Sequence, residues 1–309
     1  MCMYGTMILC ALLSAAGAIG DGNERATRLI PLSEGLSLTI RWINMQRSEF
    51  RATEMEGKLS RLLANPTWQP LVVTSARYRA VEGKNTSSSA SQPVACDLSS
   101  WSSIDSAHAF ELEKAAASYF AKPISSSQPT RCGLLGCWAS HYSLLRSYAE
   151  AAANGTAPTY LLVLEDDVDL MSEFFTQELA AIREHAPAGW HAIRFSTHGK
   201  QVDEIDRVSC EGCAHLALYR SKLSKASYNV IPTEAYTGTH GVLYQASTAG
   251  ETLKVLTAHG ALSPDWALME WHDADPEADG VPNFHTFVYP TPFLFPSASS
   301  VEHARPEGS

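Results

Sequence analysis

The chain has 309 residues, 45% apolar and 18% charged, a globular composition with enough apolar side chains for a sizeable core. That balance excludes a disordered chain, a coiled coil and a protein of many membrane spans. The 23 Lys and Arg against 33 Asp and Glu leave a net charge of −10 without a long basic run, so nucleic acid is excluded as a partner class.

Residues 1–20 carry no charged side chain, and MILCALLSAAGA over residues 7–18 is an apolar core ending in small residues. This reads as a signal peptide, with Ala16, Ala18 and Gly20 at cleavage-compatible positions. An uncleaved single N-terminal membrane anchor is the alternative, because the stretch is nearly long enough to span a bilayer and no Lys or Arg precedes it. Both readings place the rest in the secretory lumen, in the ER or Golgi, or outside the cell. A buried N-terminal helix of a cytosolic protein is the third. The sequons Asn85-Thr86-Ser87 and Asn154-Gly155-Thr156 favour the lumen. Of seven cysteines, five lie beyond the leader: Cys96, Cys132, Cys137, Cys210 and Cys213. In an oxidising compartment an odd count means two bridges and one thiol, or fewer bridges.

Alternation in LSLTIRWIN predicts a strand over 36–44, and apolar spacing from Phe50 to Leu63 predicts a helix over 47–63, stopped before Pro66. PLVVTS over 70–75 predicts a second strand, so the chain opens β-α-β, the pattern of an α/β fold. Residues 84–103 read as a Ser-rich exposed loop, 105–121 as a helix and 123–129 as another loop. Trp138, Tyr142, Leu145 and Ala149 predict a helix over 138–153, closed by Asn154-Gly155. YLLVL over 160–164 is a continuous apolar run, as in a central parallel strand covered on both faces. A helix over 172–185, a strand over 190–195 and a strand over 241–245 follow. Thr248-Ala249-Gly250-Glu251 reads as a capping box opening a helix that ends near Gly260. Residues 270–280 form an acidic loop, and Pro290, Pro292 and Pro296 impose an extended path. One domain is expected over roughly 36–297, with 298–309 as a flexible tail.

The apolar strand ends in Glu165-Asp166-Asp167, with Asp169 two residues on. In open α/β sheets ligands bind beyond the carboxyl ends of the strands. Adjacent carboxylates there repel unless solvated or neutralised by a cation. Alternate residues point the same way if strand geometry persists, and hard oxygen ligands suit manganese or magnesium completed by substrate phosphates. A metal supplies the positive charge that lets an acidic chain bind a phosphate-bearing ligand. A solvated acidic cluster is the competing reading.

Ordered blocks of the chain resemble glycosyltransferase family 25, which contains lipooligosaccharide and collagen galactosyltransferases. They are INMQRSEFR from Ile43 to Arg51, AVEG from Ala80 to Gly83, and GLLGCWASH from Gly133 to His141. LLVLEDDV from Leu161 to Val168, GTHGVLY from Gly238 to Tyr244, and SPDW from Ser263 to Trp266 complete the set. The resemblance implies an A-type, Rossmann-like glycosyltransferase fold with a mostly parallel central sheet. It implies a UDP-galactose or UDP-glucose donor, divalent manganese, a glycan or glycoprotein acceptor, and inversion at the anomeric carbon.

In that frame Asp167 and Glu165 are the metal ligands, with Asp166 beside them at the metal or donor ribose. Asp265 is the base that takes the acceptor proton, and Glu270 is the weaker candidate. Arg47 and Arg51 meet the donor diphosphate or uracil edge, or form a solvated helix pair. Glu82 binds uridine or ribose, or is an exposed turn carboxylate. His141 binds donor or acceptor, or is a satisfied helix histidine. Thr239 and His240 line the acceptor side.

Leu134 stands where the family pattern has Glu, and Glu82 where it has Asp. Leu134 motivates a second reading, a catalytically silent secreted or tethered binding module. Cys210-Glu211-Gly212-Cys213 motivates a third, a zinc or redox protein, against the plainer reading of lumenal disulfides.

Overall fold

The structure is a computed structural model. It describes residues 36–66, 72–85, 96–97, 128–170, 179, 182–183, 186, 188–195, 219–220, 222–223, 239–258, 264, 268, 270–271, 286–288 and 294–296. All belong to the compact unit Leu32–Ser309. The leader, the helix expected over 105–121, the Cys210–Cys213 pair and the tail lie outside the described residues. Among the described residues no helix is long and apolar enough to cross a membrane.

The expected β-α-β opening is present as β1 (Leu38–Asn44), α1 (Glu49–Ala64) and β2 (Val72–Arg79). In α1 the buried residues Ala52, Met55, Leu59 and Leu62 fall at helical spacing and pack on Leu38, Ile40 and Trp42 of β1. β2 runs on to Arg79, past the expected end near Ser75, because its polar half pairs with β1 from Arg41 to Asn44 at the sheet's edge. Within the Ser-rich stretch, β3 (Lys84–Asn85) pairs with β4 (Cys96–Asp97).

The second helix, α2 (Gln128–Ala153), starts ten residues before the expected Trp138 and takes in part of the expected 123–129 loop. Pro129 falls in its first turn, where the missing N–H has no helical partner to lose. Gly155, at φ 68°, closes the helix, and the carbonyls of Ala151 and Ala152 accept the N–H groups of Thr156 and Gly155. Asn154 in that turn is exposed, as a glycosylation acceptor requires.

β5 (Tyr160–Glu165) is followed by β6 (Val168–Leu170) and β7 (Ala192–Arg194). β8 (Tyr219–Arg220), β9 (Lys222–Leu223) and β10 (Gly241–Gln245) come next. A 3-10 turn (Ala246–Thr248) then leads into α3 (Ala249–Ala258). β11 (Glu270–Trp271), β12 (Thr286–Val288) and β13 (Leu294–Pro296) complete the described elements. The main sheet has the order β2-β1-β5-β10-β7-β12-β8. The pairings set β2, β1, β5, β7 and β12 in one direction, with β10 and β8 opposed. The sheet is therefore mixed, with five of its seven strands aligned.

Both faces of β5 are covered, which accounts for its unbroken apolar run. Tyr160, Leu162 and Leu164 join the α1 layer, while Leu161 and Val163 face Trp138, Leu145, Tyr244 and Leu256 on the other side. Each such burial is worth about 1.5–3 kcal/mol relative to exposure. Trp138 stacks on Tyr142 and donates its indole N–H to the Leu256 carbonyl at 3.1 Å, tying α2 to α3.

The expected capping box at the start of α3 does not form. Thr248 donates its hydroxyl to the Trp190 carbonyl at 2.9 Å, and Glu251 reaches His191 Nε2 at 3.0 Å. These bonds tie the 3-10 entry to the segment before β7, a tertiary demand that displaces the local cap.

Candidate active site

The carboxyl ends of β1 and β5 lie side by side, with Ile43 opposite Glu165. β10 runs antiparallel to β5, so its N-terminal end reaches the same edge, Gly241 opposite Leu164. The Glu165 N–H donates to the His240 carbonyl at 2.9 Å and fixes that junction. Thr239 and His240 are thereby delivered to the carboxylates at the end of β5.

A cleft of about 330 Å³ opens there, within the range of small-ligand sites. Of the residues singled out from sequence, Arg47, Arg51, Glu82, His141, Glu165, Asp166 and Asp167 all line it. Asp265 and the side chains of Glu270, Asp169 and Leu134 lie outside the described residues.

Glycine packing builds one wall. The segment 81–83 lies against the first turns of α2 so closely that a Cβ on Gly83 would sit 1.9 Å from the Cys132 carbonyl oxygen. A Cβ on Gly136 would sit 2.5 Å from the Val81 carbonyl oxygen. Ser140 Oγ accepts the Val81 N–H at 2.8 Å and donates to the Gly136 carbonyl at 2.8 Å. The Ala80 N–H donates to the Asn44 carbonyl. These contacts position Glu82 at the cleft and bring His141 to its floor. Cys132 is disulfide-bonded, whereas Cys137 is a thiol.

The three adjacent acids divide their work. Asp166 is turned toward the start of α1: Arg51 donates to its Oδ1 at 3.1 Å and Asn44 Nδ2 donates to its Oδ2. Asn44 Nδ2 also donates to the Ser48 carbonyl at 3.2 Å, so Asp166 anchors the β1–α1 turn that carries Arg47. Arg47 is exposed at the cleft and touches Met45 Sδ at 3.4 Å.

Glu165 faces inward. Thr239 donates to its Oε1 at 2.7 Å, and His141 Nε2 lies 3.7 Å from the same oxygen, an ion-pair distance too long for a hydrogen bond. Burial pushes its pKa up, but the facing His141, His240 and Thr239 outweigh burial and hold it at about 2. Asp167 is pushed the other way, by burial first and then by the charge of Glu165.

Glu165, Asp167 and His240 can each point one ligand atom into a common space, all within 4.8 Å of one another. One buried carboxylate oxygen of Asp167 has no hydrogen-bond partner among the described residues. Two carboxylates and an imidazole are a donor set that manganese or magnesium accepts, and an unsatisfied buried oxygen is what a cation would relieve. The residues present fit a divalent ion. Sequence reading set His240 on the acceptor side; the antiparallel β10 puts it beside the carboxylates. Asn44 was missed as a site residue, although it lies in the first quoted block.

The model of glycosyltransferase family 25 (LPS biosynthesis protein) matches residues 40–258, from within β1 through the cleft to the end of α3. The chain belongs to glycosyltransferase family 25. A comparison with curated proteins finds no match. Family membership makes the chain a glycosyltransferase by class, with a sugar donor and an acceptor.

Proposed function

We propose that the protein is a metal-dependent inverting glycosyltransferase of the A-type fold, moving galactose or glucose from a UDP-sugar to a glycan or glycoprotein hydroxyl in the secretory pathway. The observation that carries the reading is the Glu165–Asp167–His240 cluster at the strand ends, opening into a cleft edged by Arg47 in a family 25 chain. The aligned β2, β1 and β5, interrupted by an opposed β10, support the A-type fold. The disulfide at Cys132 and the exposed Asn154 sequon support a lumenal setting.

Glu165, Asp167 and His240 would hold the divalent ion. When bound, that ion supplies positive charge to the diphosphate leaving group. Arg47 adds a guanidinium for the same diphosphate. Asp166 holds the β1–α1 turn through Arg51 and Asn44, keeping Arg47 at the rim. Glu82 is presented by the packed 81–83 segment for the hydroxyls of the donor ribose. Asp265 takes the proton from the acceptor hydroxyl as it attacks the anomeric carbon.

The test is UDP release by the purified protein from a panel of UDP-sugars, with manganese and with chelator. Release from one donor, abolished by chelator, is expected. No release from any donor, together with no UDP binding in manganese, would sink the reading.

A further inference from the structure

We propose that Cys137, His141 and Glu165 form a second, softer metal site that takes zinc and shares Glu165 with the Glu165–Asp167–His240 cluster. Cys137 and His141 are four residues apart on α2, so they share one helix face, which is turned to the cleft. One ligand atom from each of Cys137, His141 and Glu165 lies within 4.8 Å of the other two.

His141 supplies the independent sign of a ligand. Its side chain is 1% exposed, and neither ring nitrogen has a hydrogen-bond partner among the described residues. Nε2 faces Glu165 at ion-pair distance only, and a buried imidazole with no hydrogen bond at either nitrogen is costly, so coordination at one would remove part of that cost.

The donor chemistry separates this set from its neighbour. Thiolate and imidazole select zinc, whereas carboxylate-rich sets suit manganese and magnesium. Zinc ligand bonds of about 2.0–2.3 Å place tetrahedral donors roughly 3.3–3.8 Å apart, so each side chain closes by about 1 Å or less. Three protein donors leave the fourth position to water, and the cleft is the entry path. The sharing of Glu165 rests on the function proposed above; the zinc site itself does not.

The test reads Cys137 directly. The folded full chain is alkylated with iodoacetamide in zinc, in manganese or in chelator, and modification of Cys137 is timed by peptide mass spectrometry. Zinc is expected to slow modification at least 10-fold relative to chelator, while manganese alone leaves the rate unchanged. The protection is expected to disappear in His141→Gln. Equal rates in zinc and chelator would overturn the site, and so would full protection in a folded His141→Gln protein. Wild-type protein decides the first comparison, so a misfolded variant cannot rescue the proposal. Because Glu165 belongs to both sets, Glu165→Gln is expected to weaken both zinc protection of Cys137 and manganese binding read by calorimetry. A folded Glu165→Gln protein that loses only one of the two would overturn the sharing. Neither labelling result depends on sugar transfer, so failure here and failure of the transferase reading are separable.

Discussion

Two glycines of α2, three residues apart, are predicted to respond to alanine with opposite signs. At an open helix position Gly→Ala removes backbone freedom from the unfolded chain and stabilises by about 0.5–1 kcal/mol. Gly133 is such a position: a Cβ there meets nothing within 4 Å. Gly136 is not, because its Cβ would stand 2.5 Å from the Val81 carbonyl oxygen and 2.8 Å from the Gly83 nitrogen. A carbon and a carbonyl oxygen need roughly 3.3 Å, so the 81–83 segment would have to retreat by about 0.8 Å. Both nearest atoms are backbone, and no rotamer change relieves them. Overpacking of this kind costs about 1–3 kcal/mol, which exceeds the propensity gain. Gly136→Ala is therefore expected to lower unfolding stability by about 1–2 kcal/mol while Gly133→Ala raises it by up to about 1. Urea denaturation of both variants beside the parent, followed by circular dichroism, measures the difference. A stabilised Gly136→Ala protein would refute the close packing of the 81–83 segment on α2, and with it the placement of Glu82.

Other variants probe the cleft. His240→Ala removes one of three proposed ligands; loss of an outer-shell partner alone costs 10–100-fold in metal affinity at the order-of-magnitude level, so at least about 10-fold weaker manganese binding is expected by calorimetry. Unchanged affinity would return His240 to the acceptor side. Asp265→Asn is expected to cut transfer by about 10²–10⁴-fold while UDP binding in manganese stays intact, and a variant with full turnover would remove Asp265 as the base. Arg51→Ala strips the guanidinium from Asp166, whose side chain is 10% exposed, and is expected to cost about 1–3 kcal/mol of stability and to weaken donor binding through the β1–α1 turn. A donor KM equal to the parent's would mean that the turn holds its position without the Arg51–Asp166 contact.

The elements that carry the site were legible where one physical signal dominated. The YLLVL run needs two covered faces, and the sheet supplies them, so β5 and the carboxylates beyond it could be placed from residues alone. Six of the seven cleft-lining candidates fell together because their blocks lie at strand ends in an α/β fold, while His141 reaches the cleft from α2. Strand direction was not legible. Five residues of β10 read the same either way, and only the pairing with β5 shows that His240 meets Glu165. The start of α2 was hidden by Pro129, Gly133 and Gly136, residues that ordinarily signal a loop. Here the proline sits in the first turn, and Gly136 is needed for contact with the 81–83 segment. The division of labour between Asp166 and its neighbours was equally hidden. It depends on a turn at 166–167 and on Arg51 and Asn44, both far away in the chain.

Glu165, Asp167 and His240 are proposed to hold a divalent ion that in turn holds the donor's diphosphate. Calorimetric titration of UDP into the purified protein, with manganese and with chelator, on the parent and on Asp167→Ala, tests it most directly. UDP is expected to bind the parent in manganese and not in chelator, and to bind Asp167→Ala in neither condition. Equal UDP binding by both proteins, or binding by the parent that chelator leaves untouched, would contradict it.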